Sequence, residues 1–260
     1  MNLGYFETSL NVRDIERSLA FYTALGFEPL DGDVEIKTVS LQKGNCRLGL
    51  YQGHLDPAVT QLIFWQGDVP GIARELESLG VEFFRGPNED ENGAAFMLKD
   101  PDGHPIFVIR LPVFFFNQPG HERPADATPR TAKGVGPRLG YFILSLAVAD
   151  LDRSLAFYSK LGFEPRSRDE ISATLRNGDC TVSLYQGFPA DWTQLTFWQG
   201  DVYEIARDLT AKGLVFERGP ATNADGAAGD GATLRDPDGH QLHFINVERL
   251  RRGEPDRGSI

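Results

Sequence analysis

The sequence predicts an α+β protein built from four copies of one βαβββ unit, and three observations carry that prediction. Asp14, Asp68, Asp150 and Asp201 are each followed twelve residues later by a glycine: Gly26, Gly80, Gly162 and Gly213. Between them, apolar residues recur at helical spacing: Ile15, Leu19 and Tyr22; Val69, Ala73 and Leu76; Leu151, Leu155 and Tyr158; Val202, Ala206 and Leu209. Each set forms one buried face of a helix, with Asp as N-cap and Gly as C-terminal stop. Second, long segments recur. RSLAFYTALGFEP at Arg17–Pro29 returns as RSLAFYSKLGFEP at Arg153–Pro165, FWQGD at Phe64 returns at Phe197, and DPDGH at Asp100 returns at Asp236. Third, turn residues punctuate the strands after every helix: Lys43-Gly44-Asn45, Asn177-Gly178-Asp179, and the Pro-Asp-Gly turns at Pro101 and Pro237.

Each unit opens on a strand. In the first, Phe6, Leu10 and Val12 fall on one face, and Glu7, Ser9 and Asn11 on the other. The capped helix follows, and then three short strands. The long-period repeat implies duplicated domains: 1–112 with units one and two, and 139–248 with units three and four. Residues 113–138 are rich in Pro, Gly and charge and are expected to be a linker whose start, Phe114-Phe115-Phe116, packs on a domain surface. Residues 249–260 are expected to form an exposed tail. The Gly-rich loop Asn223–Gly231 is longer than its counterpart and is expected to act as a lid.

Composition excludes several classes. The net charge of −11 opposes binding to nucleic acid or anionic membrane. No apolar run approaches the ~20 residues of a membrane span, and the N-terminus lacks a signal-peptide pattern. Cys46 and Cys180 occupy matching places in the halves and make neither a CxxC nor a zinc cluster, so a cytoplasmic setting is expected. There is no nucleotide-binding glycine loop and no recognisable Ser-His-Asp motif.

The combination of SLAFYxxLGFEP after the first strand and DPDGH before the last resembles the vicinal oxygen chelate superfamily, which includes glyoxalase I, extradiol dioxygenases, fosfomycin-resistance enzymes and bleomycin-binding proteins. The resemblance implies a glyoxalase-like fold: four βαβββ units forming two half-open mixed β-barrels with helices outside. It also implies metal ligands on the first and last strands of each unit. The first-strand positions are Glu7, Gln61, Ile143 and Gln194, and the last-strand positions are Leu48, Phe107, Val182 and His243. If each half closes its own barrel, neither site has three ligands. If units exchange across the halves, Glu7, Gln194 and His243 gather around one cavity as a site for Zn, Fe, Ni or Mn, while Gln61 remains in an apolar pocket.

Two functions follow. One is a metal-dependent lyase or isomerase that chelates vicinal oxygens of a small molecule, with Glu7 doubling as general base. The other is a metal-free binding or resistance protein that sequesters an aromatic or planar ligand. Strand alternation adds Trp65 and Trp198 to the cavity, with Ser9, Asn11, Gln61 and Thr196 as polar lining, and places Phe64 and Phe197 beneath the helices. His104 and His240, which follow the same turn in both halves, are expected to be structural. Four units in one chain suit a monomer, with a homodimer as the alternative.

Overall fold

The computed structural model describes residues 1–55, 60–111, 138–222 and 230–246. Phe114–Phe116, His121, the exposed tail and most of the expected linker and Gly-rich loop lie outside the described residues.

The first half contains β1 (Gly4–Asn11), α1 (Ile15–Ala24), β2 (Glu28–Asp33), β3 (Thr38–Lys43), β4 (Cys46–Tyr51), β5 (Gln61–Gln66), α2 (Val69–Ser78), β6 (Arg85–Asp90), β7 (Gly93–Lys99) and β8 (Pro105–Arg110). The second half repeats the order: β9 (Gly140–Val148), α3 (Leu151–Lys160), β10 (Glu164–Arg168), β11 (Ser172–Asn177), β12 (Cys180–Gln186), β13 (Thr193–Gln199), α4 (Val202–Ala211), β14 (Phe216–Thr222), β15 (Asp230–Arg235) and β16 (Gln241–Asn246). All four helices start as the sequence dictates. The carboxylates of Asp14, Asp68, Asp150 and Asp201 accept from the backbone N–H of Arg17, Gly71, Arg153 and Glu204, which satisfies a donor the first turn would leave open.

The strands form two eight-stranded mixed sheets, ordered β2-β3-β4-β1-β5-β8-β7-β6 and β10-β11-β12-β9-β13-β16-β15-β14. They are half-open rather than closed barrels. Two units join within each sheet through their first strands, β1 antiparallel to β5 with Glu7 opposite Ile63, and β9 antiparallel to β13 with Ile143 opposite Thr196. The exchange of units across the halves therefore does not occur in the sheets. Units one and two share a sheet, and so do units three and four.

Alternation assigns the faces. Phe6, Leu48, Leu50, Leu62, Phe64, Ile106 and Val108 in the first sheet, and Phe142, Val182, Leu184, Leu195, Phe197 and Phe244 in the second, are buried in the core on the helix side. The opposite face of each sheet forms a cup. Cys46 and Cys180 are free, fully buried thiols whose pKa is pushed up by burial.

The helix sides of the two sheets meet across a reciprocal interface. Phe64 contacts Phe163, and Phe197 contacts Phe27, with ring centroids 6.3 and 6.4 Å apart. Tyr22 donates to Asp236 at 2.9 Å, and Tyr158 donates to Asp100 at 3.0 Å. Ser18 donates to Asp238 at 2.8 Å, and Ser154 to Asp102 at 2.9 Å. Asn45 bonds both backbone groups of Phe142, while Asp179 accepts from the backbone N–H of Phe6. The DPDGH turns are thus the latch between halves. Asp100 and Asp236 also accept from the backbone N–H and the Nδ1 of His104 and His240 respectively. That fits the structural role expected for these two histidines. Units one and four do touch, through helix and turn, but on the side away from the cups.

Candidate functional site in the two cups

The first cup is closed over a carboxylate. Glu7, Ser9, Gln61 and Ile63 are buried on its floor, with Tyr51 beside them. Glu7 Oε1 accepts from Tyr51 Oη at 2.7 Å and from Ser9 Oγ at 3.2 Å, and Oε2 accepts from Ser40 Oγ at 2.6 Å. Burial pushes the Glu7 carboxyl above its ordinary value of 4.5, against the opposing pull of the Ser40, Tyr51, Ser9 and Trp65 side chains. Burial, reinforced by the nearby Glu7 charge, pushes Tyr51 well above its ordinary range. Gln61 Oε1 is buried without a hydrogen-bond partner.

The second cup is open and uncharged on its floor. Gln194 Nε2 donates to Gln241 Oε1 at 2.7 Å, and Thr196 Oγ1 donates to Gln194 Oε1 at 3.3 Å. Ser145 and Thr196 share a hydrogen bond of 2.9 Å, and Thr233 Oγ1 lies 3.0 Å from His243 Nδ1. Burial, with help from the charge on Arg218, pushes the His243 imidazole below its ordinary value of 6.5. Gln194, Gln241 and His243 are only half-buried, unlike the floor of the first cup.

Glu7, Ser9, Gln61 and Trp65 line the first cup, with Asn11 at its edge opposite Tyr51 in register. Gln194, Thr196, Trp198 and His243 line the second. The proposed metal set of Glu7, Gln194 and His243 is not assembled, because its members sit in different sheets whose cups face away from a common interface. A further correction concerns Leu48 and Val182, which face the core. Gly49 and Ser183 occupy the cup positions there, opposite Ser9 and Ser145. The reason is turn length. Lys43 pairs with Cys46 across a two-residue turn, whereas Lys99 pairs with Pro105 across a longer one, so an offset counted from the turn glycine lands one residue short in units one and three.

A resident divalent metal does not fit either donor set. The first cup offers one carboxylate, already bonded by three hydroxyls, and one amide beside Ile63 and Phe107. The second offers one imidazole and one amide already paired with Gln241 and Thr196, beside Ile143. Among the described residues no three His, Cys, Asp or Glu side chains are grouped to hold a metal. Catalytic zinc sites use three protein ligands and keep a fourth position open.

The site also includes groups that the ligand-position count missed. Tyr51 and Ser40 cage Glu7. At the rim of the second cup Tyr185, Phe188 and Trp192 form an aromatic cluster. Aligning the halves would have revealed the latter: counted from Tyr51 and Tyr185, Phe188 stands where the first half has His54, and counted back from Gln61 and Gln194, Trp192 stands where it has Val59.

A family model described as Glyoxalase/Bleomycin resistance protein/Dioxygenase superfamily matches residues 3–108 and 138–244. Among solved structures, the chain is similar to the Mn(II)-bound glyoxalase from Novosphingobium aromaticivorans, with TM-score 0.57 and 16% identity over 93% of this chain and 80% of that one. It is similar to the 2,3-dioxygenase LapB from Pseudomonas sp. KL28, with TM-score 0.58 and 13% identity over 94% of this chain and 91% of that one. A catechol 2,3-dioxygenase gives TM-score 0.58 and 16% identity over 94% and 87%. At such identities the likeness is one of fold. No curated protein sequence matches the chain.

Proposed function

Because the chain belongs to the glyoxalase/bleomycin resistance protein/dioxygenase superfamily, a group whose shared fold hosts several chemistries, we propose that it is a metal-free small-molecule-binding protein. Its ligand enters the cup of the second half and has an aromatic or planar part. The observation that carries this reading is the strand pairing of β1 with β5 and of β9 with β13, which separates Glu7 from Gln194 and His243. The second cup is the more accessible of the two, and it combines a neutral hydrogen-bonding floor with aromatic surface.

The metal-dependent reading, a lyase or isomerase with Glu7 as base, draws support from the Mn(II)-bound glyoxalase among the structural neighbours. It meets two obstacles in this chain: Glu7 is 1% exposed and fully engaged by hydroxyls, and neither cup supplies three donors. In the binding reading Glu7 is a structural group that fixes Tyr51. A cytoplasmic setting agrees with two free, buried thiols. No helix among the described residues is long and apolar enough to cross a membrane. A monomer agrees with an interface already satisfied within the chain.

The test is metal analysis of purified protein before and after incubation with Mn²⁺, Fe²⁺, Ni²⁺ and Zn²⁺, paired with titration of planar aromatic compounds followed by tryptophan emission. Binding that survives a chelator, with no stoichiometric metal, supports the proposal. A retained stoichiometric metal on which ligand binding depends sinks it and restores the metal-dependent reading.

A further inference from the structure

Resting on that binding reading, we infer that the ligand is a planar ring compound, seated against a wall formed by Tyr185, Phe188 and Trp192 with its polar edge on the Gln194–Gln241 amide pair. The wall is compact: ring centroids lie 4.6 Å apart for Phe188 and Trp192, 5.7 Å for Tyr185 and Trp192, and 5.8 Å for Tyr185 and Phe188. Phe188 remains 45% exposed, so the wall presents ring surface to a ligand. Ile171, 58% exposed, has its carbonyl accepting from the N–H of Gln186, two residues before Phe188, at 2.8 Å.

The wall adjoins the amide floor through β9. Tyr185 lies opposite Ala147 in register, and Ala147 N–H donates to the Trp192 carbonyl at 3.0 Å. Two residues back along β9, Ser145 lies opposite Gln194, which lies opposite Gln241. A ring resting on the wall therefore directs its edge to a carboxamide pair that can donate and accept together.

Comparison of the two halves shows what the second cup gained. In the first, Tyr51 is buried and tied to Glu7 at 2.7 Å. In the second, Ile143 stands at the position of Glu7, and Tyr185 is released into an aromatic cluster. Phe188, Trp192, Gln241, Thr196 and His243 stand where the first half has His54, Val59, Pro105, Ile63 and Phe107. The carboxylate has gone, and aromatic rings and neutral hydrogen-bonding groups have arrived on one side of one cup. Arg218, opposite Thr233 in register and close enough for its charge to act on His243, stands on the same face further toward the sheet edge.

The test is calorimetric titration of the full chain with quinolin-2-one, a planar lactam whose edge both donates and accepts. Quinolin-2-one is expected to bind, with affinity reduced about tenfold by Trp192→Ala or Phe188→Ala, as one lost ring contact implies, and also reduced by Gln194→Ala. Circular dichroism melts of the variants show whether the fold is kept. These surface rings can be removed without opening the core. Binding that falls with Gln194→Ala but is indifferent to Trp192→Ala and Phe188→Ala overturns the wall while sparing the cup. No binding of quinolin-2-one, or binding indifferent to Gln194→Ala, overturns the cup reading and this inference with it.

Discussion

Gly49 is small because Glu7 is there: a Cβ built on Gly49 would lie 2.3 Å from Glu7 Oε1 and 2.4 Å from a ring carbon of Tyr51. The second half makes the complementary choice, with Ser183 at the position of Gly49 and Ile143 at that of Glu7. The pair has changed together between the two copies.

Gly49→Ser alone should therefore destabilise the protein by about 1–3 kcal/mol through overpacking. The double variant Glu7→Ile with Gly49→Ser, which copies the second half, should recover a large part of that loss. Urea unfolding of the four members of the cycle measures the coupling. Additive losses would show that the two sites are independent.

Glu7 should make stability depend on pH. Its native carboxyl holds a proton more tightly than the unfolded chain does, because burial raises its pKa above 4.5. The native state then binds more protons, so its contribution is full below about 4.5 and is lost as pH rises through the raised native value. Glu7→Gln removes that loss, and the stability difference between Glu7→Gln and the parent should move in favour of the variant as pH rises from 4 to 8. Chemical denaturation at each pH reads this directly, and a flat difference would contradict the buried, caged carboxyl.

The interdomain latch should be worth a measurable amount at each of its two copies. Tyr22→Phe removes a buried donor to Asp236, and Tyr158→Phe removes its counterpart to Asp100. Each should cost about 1–3 kcal/mol, the range for a hydrogen bond to a charged group, in equilibrium unfolding followed by far-ultraviolet circular dichroism. Ligand affinity in the second cup should be unchanged, since the latch lies on the other face of the sheets.

Both thiols should resist modification while the chain is folded. Cys46 and Cys180 are fully buried, and burial keeps them protonated. Titration with a thiol-reactive disulfide should give no rapid reaction in buffer and two equivalents in denaturant.

Much of this architecture was legible in the residues. The caps at Asp14, Asp68, Asp150 and Asp201, the inward tryptophans with Phe64 and Phe197 beneath the helices, and the structural histidines all follow from local rules of spacing and alternation. The partner of each first strand does not. β1 offers the same edge to β5 as it would to β13, because β5 and β13 are copies, so periodicity alone could not choose between them. That choice decides whether Glu7 shares a cup with Gln194 and His243, since Glu7 follows β1 into whichever sheet it joins. The Leu48 and Val182 positions failed for a smaller reason, a turn shorter than the one used to count from. The cage around Glu7 and the wall at Trp192 depend on residues distant in sequence, which meet only once the strands have paired.

The reciprocal latch joins the copies back to back, and this has a consequence for how such a protein can evolve. A substitution lining one recess need not be answered in the other, because among the described residues the two floors draw their side chains from different sheets. One copy could keep an ancestral acidic interior as ballast for the fold while its twin was reshaped for a new guest, with the seam between them untouched.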